Sequence, residues 1–447
     1  MGHKGLLHRL VGLLLGAASA GAWLTFVAAN GFARGNDTRG YLRLADALWS
    51  LRVLTSARTP GYPIFLVACR ALAAALGTDL GWVVAVLQTI LLAGVTTVLV
   101  HDLGWRLTTR PGIGALAAAL FALDVDLQQY GATMLTEALM VTLTVAMVSL
   151  RLRDGTWRRA AWLLAALALV RPNFVVFPLA FAGLDALRLR RLRAVLAPLW
   201  PTAVVLAVWS AVALASGADP ARPLRWFVPM HTFGTVYEAG LWMRLPDGPE
   251  RRLLADQKAR GHNAYQAAEA LEAFAGPGSK ATVAQAAIRA DPLGYAAARA
   301  ALLPLEFRRG SWAEAELFQY VHPDAALLHV LSRFHSRYRG LFYGSFPLFL
   351  VLLGMFAANG FGWPVARAAG REVIVPFVAV LFVSVGLSSL GTYGVGRLAI
   401  AFHPFDALCW ACASGALAHR LVTGRGAEAP PSHAPSSHTR PTTSLKV

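Results

Sequence analysis

The chain is poor in cysteine, in lysine and in charge altogether. Its three cysteines, Cys69, Cys409 and Cys412, all lie in apolar surroundings. Cys409-Trp410-Ala411-Cys412 has the spacing of a redox or metal pair, but no second pair or histidine cluster accompanies it, so the two read as packed side chains. Of the 41 basic residues only Lys4, Lys258, Lys280 and Lys446 are lysines, so arginine pervades the chain and a single arginine says little about phosphate recognition. Charged residues make up 15% of the 447 positions against 56% hydrophobic ones, and the apolar runs exceed what a soluble core helix needs. These proportions describe a polytopic membrane protein. The net charge of +17 would suggest nucleic acid as the partner of a soluble domain. Here the basic residues fall in short runs between apolar segments, as topology signals and lipid contacts, and nucleic acid is not expected. No internal repeat is present.

Apolar runs of spanning length lie near 10–30, 80–100, 112–128, 134–150, 160–171, 173–187, 195–215, 341–359, 373–391 and 397–418. The run 61–77 is shorter, carries Pro63 near its start and holds Arg70 in its middle. Laying it on the membrane surface places the basic runs 101–110, 151–159, 188–193 and 367–371 on the side of Lys4, Arg9 and the C-terminal tail, whereas a spanning helix would expose three of them outside. The expectation is an all-α protein of the inner or plasma membrane, with about ten spans and both termini cytoplasmic. The first run reads as an uncleaved anchor, because hydrophobicity continues past the small residues 17–20 to Ala29.

The first outer loop breaks the charge rule, with Arg34, Arg39, Arg43, Arg52 and Arg58. Within it, 39–52 reads as an amphipathic interfacial helix, with Tyr41, Leu44, Leu48 and Leu51 on one face and Arg39, Arg43, Asp46 and Ser50 on another. A second interfacial helix is expected over 61–77. The chain then divides into an N-terminal membrane module over 1–216 with its first loop at 31–79, an outer helical region over 217–340, C-terminal membrane helices over 341–420 and a Pro-, Ser-, Thr- and His-rich tail over 421–447 expected to be disordered.

In this topology polar residues gather at the outer ends of the spans. Asp37 follows the first; Asp124, Asp126, Gln128, Gln129, Tyr130, Thr136 and Glu137 surround a later turn; Arg171-Pro172-Asn173 forms another; Tyr393 and Arg397 precede the last span. The pattern resembles the GT-C glycosyltransferases, specifically the dolichyl-phosphate-mannose-protein mannosyltransferase and aminoarabinose-transferase-like superfamily. The resemblance is carried by Asp37 with Tyr41, by Arg58-Thr59-Pro60-Gly61-Tyr62-Pro63, by Thr136-Glu137, by Leu169-Val170-Arg171-Pro172, and by Gly396-Arg397 followed by Pro404. It covers most of 10–190 and returns near 390–405.

What the resemblance implies is a multispanning enzyme that transfers a sugar from a polyprenyl-phosphate donor to a lipid, glycan or protein acceptor on the outer side. Asp37 would activate or orient the acceptor hydroxyl, in keeping with the gain a carboxylate within hydrogen-bond reach offers an attacking hydroxyl. Glu137 would belong to a second acidic site that orients substrate or a divalent cation. The leaving lipid phosphate needs positive charge, for which Arg58, Arg171 and Arg397 are the candidates. Tyr41 and Tyr62 would contact donor or acceptor, or anchor interfacial helices. Each has a simpler reading: Asp37 as a helix N-cap, Glu137 as a first-turn acid on a helix dipole, and the arginines as side chains snorkelling to headgroups. His403 reads as a hydrogen-bonded structural histidine or a proton carrier. Arg397 lacks the tyrosine that relatives place directly after it, and Asp406 is an unusual acid in an apolar run. The competing class is a transporter or flippase for a lipid-linked anion, which would place its polar groups near mid-bilayer.

Overall fold

The computed structural model describes residues 3–35, 37–50, 58–189, 192–308, 319–342, 346–380 and 400–423. Arg397, Tyr393 and most of the C-terminal tail lie outside them. The described residues are overwhelmingly helical, as expected of an all-α protein, and their one sheet is a two-residue pairing of Ala33–Arg34 with Gln319–Tyr320.

The first helix, His3–Asn30, packs along Leu80–Thr108. Gly12, Gly16 and Ala20 recur every fourth residue on one face of the first helix, a spacing that lets two backbones approach closely. A Cβ added to Gly16 would lie 2.5 Å from Val98 Cγ2 and 2.9 Å from the Gly94 carbonyl oxygen. The partner helix carries a π-helical stretch at Ile90–Thr96, so the turns before and after it are offset in register around this contact.

The two helices anticipated in the first loop are present as Thr38–Trp49 and Gly61–Leu76. They pack on each other, and Arg70, anomalous in an apolar run, is ion-paired with Asp46 of the preceding helix. Gly61–Leu76 ends at Gly77 in the left-handed conformation, which glycine adopts without a Cβ penalty. Leu51 and Arg52, assigned to the end of the first of these helices, lie outside the described residues.

Among the described residues three helices are long and apolar enough to cross a membrane: Leu6–Asn30, Leu80–Thr108 and Leu196–Ala215. A fourth span arises if Pro111–Ala122 and Val125–Gly131, bent by 59°, act together. This is fewer than the ten anticipated. Several apolar runs are cut by turns into pieces: Ala160–Val170 has 11 residues, or about 16 Å of helix, against a hydrocarbon core of about 30 Å. Helices Glu137–Asp154 and His403–Thr423 have the length but carry charge, including Glu137, Arg151, Arg153 and Asp406.

Two hydrophobic cores are distinct. The larger joins the first helix, both loop helices and the helices to 189 with residues of 349–380 and 401–412. The smaller, around Phe233, Tyr237, Leu254, Leu271 and Ala284, holds together the helices between Arg222 and Arg308. The chain 31–35 lies in the larger core, bonded on both sides: Ala33 N donates to Ala132 O at 2.8 Å, Met134 N to Ala33 O at 3.0 Å, and Val321 N to Phe32 O at 3.1 Å. Asn30 completes this seam by accepting from Asp324 N at 2.8 Å. The first loop is thus held against the turn at 132–137 on one side and against 320–324 on the other.

Candidate functional site

The seam determines where Asp37 sits. Thr38 Oγ1 accepts from Gly35 N and donates to Met134 O, both at 3.0 Å, so the first turn of Thr38–Trp49 is tied to the residues just before Glu137. Asp37 stands at the N-cap of this helix but makes no side-chain cap bond. Its carboxylate is ion-paired with Arg58, the first residue of the Arg-Thr-Pro-Gly-Tyr-Pro run. The side-chain capping reading of Asp37 is therefore not what the fold uses.

Arg58 also lies over the ring of Tyr41, 5.1 Å from its centroid. Tyr41 in turn meets Tyr62 edge to face, with centroids 5.0 Å apart and planes at 74°. Both rings are buried. Burial raises the pKa of both phenols, so they remain neutral hydroxyls at any physiological pH. At Tyr41, Arg58 and Arg171 oppose that rise while Asp37 and Glu137 add to it, so the charges of both pairs act on this phenol.

The second pair is built from the other half of the module. Pro172 disfavours helical geometry at the residue before it, and Arg171 is extended, closing Ala160–Val170. Its guanidinium is turned to the start of Glu137–Asp154, where it is ion-paired with Glu137 and donates from Nε to Thr136 Oγ1 at 2.9 Å. Glu137 is fully buried and the Arg171 side chain is 14% exposed. Glu137 is a first-turn acid, as its simpler reading supposed, and a partner of Arg171 as well.

The two halves meet at the Arg-Thr-Pro-Gly-Tyr-Pro run. Thr59 Oγ1 donates to Val170 O at 3.2 Å, and Gly61 lies so close to Leu169 and Val170 that an added Cβ would fall 2.6 Å from their backbone atoms. No side chain fits there. Asp37, Tyr41, Arg58, Tyr62, Glu137 and Arg171 are thereby gathered into one constellation, while Arg397 lies outside the described residues.

Asp124 does not join them. Its Oδ1 caps the turn at Leu127 N and its Oδ2 is hydrogen-bonded to Nδ1 of His403, tying the last helix to the 124 turn. His403 is accordingly a hydrogen-bonded histidine. Asp406 lies one helical turn further along and is buried. Among the described residues no group of three or more His, Cys, Asp and Glu side chains is arranged to hold a metal ion. The three cysteines are free and buried, as expected of packed thiols.

One participant escaped the sequence reading. Gln88, fully buried in Leu80–Thr108, accepts from Tyr62 OH at 3.1 Å and donates to Leu135 O at 2.8 Å. An amide in an apolar spanning run was the available signal.

Chemically, the constellation offers two carboxylates, two guanidiniums and two neutral phenols, with the Asp37–Arg58 pair partly open to solvent and the rest largely buried. It can accept a proton at a carboxylate and neutralise an anion with guanidinium forks. Compared with family models and with curated proteins, the chain matches none.

Proposed function

We propose that this protein is a membrane glycosyltransferase of the GT-C type, transferring a sugar from a polyprenyl-phosphate donor to a cell-envelope lipid, glycan or protein acceptor at the outer membrane surface. In this reading the chain crosses the membrane about ten times, with shorter helices paired across their breaks, and both termini face the cytoplasm. The observation that supports it best is that Asp37–Arg58 and Glu137–Arg171, from segments far apart in sequence, are brought together by the contacts of Thr38 with Met134 and of Thr59 and Gly61 with Leu169–Val170.

Each group then has a role. An acceptor hydroxyl attacks the anomeric carbon while the bond from that carbon to the phosphate oxygen breaks, and its electron pair leaves with the lipid phosphate. Asp37 takes the hydroxyl proton as the oxygen–carbon bond forms. Arg58 and Arg171 receive the developing phosphate charge, which in a dry site is worth more than in water. Direct displacement of this kind inverts the anomeric centre. Glu137 holds Arg171 in place, and Tyr41 supports Arg58 from below through its ring face.

The test is transfer from labelled polyprenyl-phosphate sugars by the purified protein in lipid nanodiscs, wild type against Asp37→Asn. Transfer by the wild type and its loss in the variant is expected; full activity in Asp37→Asn removes that residue from the mechanism, and vesicle translocation without glycosidic bond formation favours a flippase.

A further inference from the structure

Besides Thr38 and Thr59, a buried polar group that joins the two halves of this constellation is Gln88. It lies two turns inside the N-terminal end of Leu80–Thr108, in surroundings where an amide without partners would be costly. Both ends of its amide are used. Oε1 receives the Tyr62 hydroxyl of the Arg-Thr-Pro-Gly-Tyr-Pro segment, and Nε2 donates to the carbonyl of Leu135, next to Thr136 and Glu137. Thr89, the next residue, packs against Gly131, where an added Cβ would fall 2.9 Å from Thr89 Oγ1. The π-helical stretch begins immediately after, at Ile90. The offset it introduces lets the earlier turns of this helix face the constellation while the later turns face Gly16.

From Gln88 a continuous set of contacts reaches Asp37. The amide orients the Tyr62 phenol, the Tyr62 ring meets Tyr41, the Tyr41 face carries Arg58, and Arg58 holds Asp37. On the other side the amide fixes the carbonyl that precedes Thr136, the residue that receives Arg171 Nε. We infer that Gln88 is a positioning residue, setting the separation between the Asp37–Arg58 pair and the Glu137–Arg171 pair. This rests on the glycosyl-transfer reading for its kinetic consequence, though not for its structural one.

The side-chain chemistry makes the inference testable, because glutamate is nearly isosteric but its ionised form cannot donate to Leu135 O. Protonated glutamate can donate to that carbonyl and still accept from Tyr62. In Gln88→Glu, transfer is expected to fall at least tenfold in kcat at pH 8, with the donor KM within threefold of wild type, and to recover as the pH is lowered, a limb absent from the wild-type profile. Gln88→Leu is expected to show the same kcat loss at all pH values, while its thermal midpoint in nanodiscs stays within a few degrees. Hydrogen exchange supplies a readout independent of activity: in Gln88→Leu the amides of 61–66 and of 134–138 should lose protection together.

Wild-type transfer rates in Gln88→Leu, or kcat loss in Gln88→Glu with no recovery at low pH, would overturn the positioning role. Unchanged exchange in both segments would do so as well. If the wild-type protein transfers no sugar, the functional reading fails, and the exchange experiment still decides whether Gln88 couples the two halves.

Discussion

At the residue scale, the same arginines that are ambiguous in sequence acquire distinct environments. Arg70 compensates Asp46 between two loop helices, whereas Arg58 is half-buried against Tyr41 and Asp37, and Arg171 is largely buried against Glu137. The Glu137–Arg171 pair has a stability consequence that does not depend on catalysis. Glu137→Gln leaves a largely buried guanidinium without its carboxylate, and breaking a buried pair from one side costs about 3–5 kcal/mol. Glu137→Leu combined with Arg171→Met should cost less than Glu137→Gln alone, as read from thermal midpoints in detergent. Equal costs would mean that solvent or another group compensates Arg171. For Asp37, with its more exposed pair, Asp37→Asn should change the thermal midpoint little while abolishing transfer; this separation distinguishes a reacting carboxylate from a helix cap.

At the scale of elements, the first helix and Leu80–Thr108 form the contact on which the loop is hung. Gly16→Leu places its Cβ inside the space of Val98 and the Gly94 carbonyl, so the helices must part. The expected cost is about 1–3 kcal/mol, as for other overpacked contacts. Gly21→Leu on the same helix meets nothing within 4 Å and should be tolerated. Comparing the two by thermal unfolding isolates close approach from the intrinsic preference for leucine over glycine in a helix. The loop helices themselves were legible: amphipathic alternation announced Thr38–Trp49, and the apolar run announced Gly61–Leu76. The break at Arg171–Pro172 was legible from its proline, whereas the one at Leu123–Asp124, inside the run 112–128, was not, because an apolar run states how much surface wants burial but not whether the helix carrying it is continuous.

At the scale of the whole molecule, the small core of 230–298 is a cluster separate from the larger one. His231 is half-buried beside it, next to Met230, and desolvation, with Arg299 nearby, lowers its pKa from 6.5 to about 4. The folded state therefore refuses a proton that the unfolded chain accepts. Stability is full above about pH 6.5 and falls as the pH drops towards 4, by up to about 1.4 kcal/mol per unit. His231→Gln should flatten this dependence. The measurement is the pH profile of hydrogen exchange in 230–290, followed separately from exchange in the membrane helices; a profile unchanged by the substitution would assign the acid sensitivity to other groups.

Composition and hydrophobic patterning by themselves determined that this is a helical membrane protein, that a polar, arginine-rich loop follows its first apolar segment, and which acids and arginines stand at segment ends. These properties follow from local spacing and from the cost of placing charge in hydrocarbon, and both are readable one segment at a time. Only the tertiary structure decided that Asp37 pairs with Arg58 instead of capping its helix, that Arg171 reaches Glu137, that Asp124 serves His403, and that Gln88 links the two halves. Those outcomes depend on which helix ends meet, and that is settled by close approaches such as Gly16 against Gly94 and Gly61 against Leu169–Val170. A glycine in sequence states only that a backbone can come near; the partner it admits is a property of the packed fold.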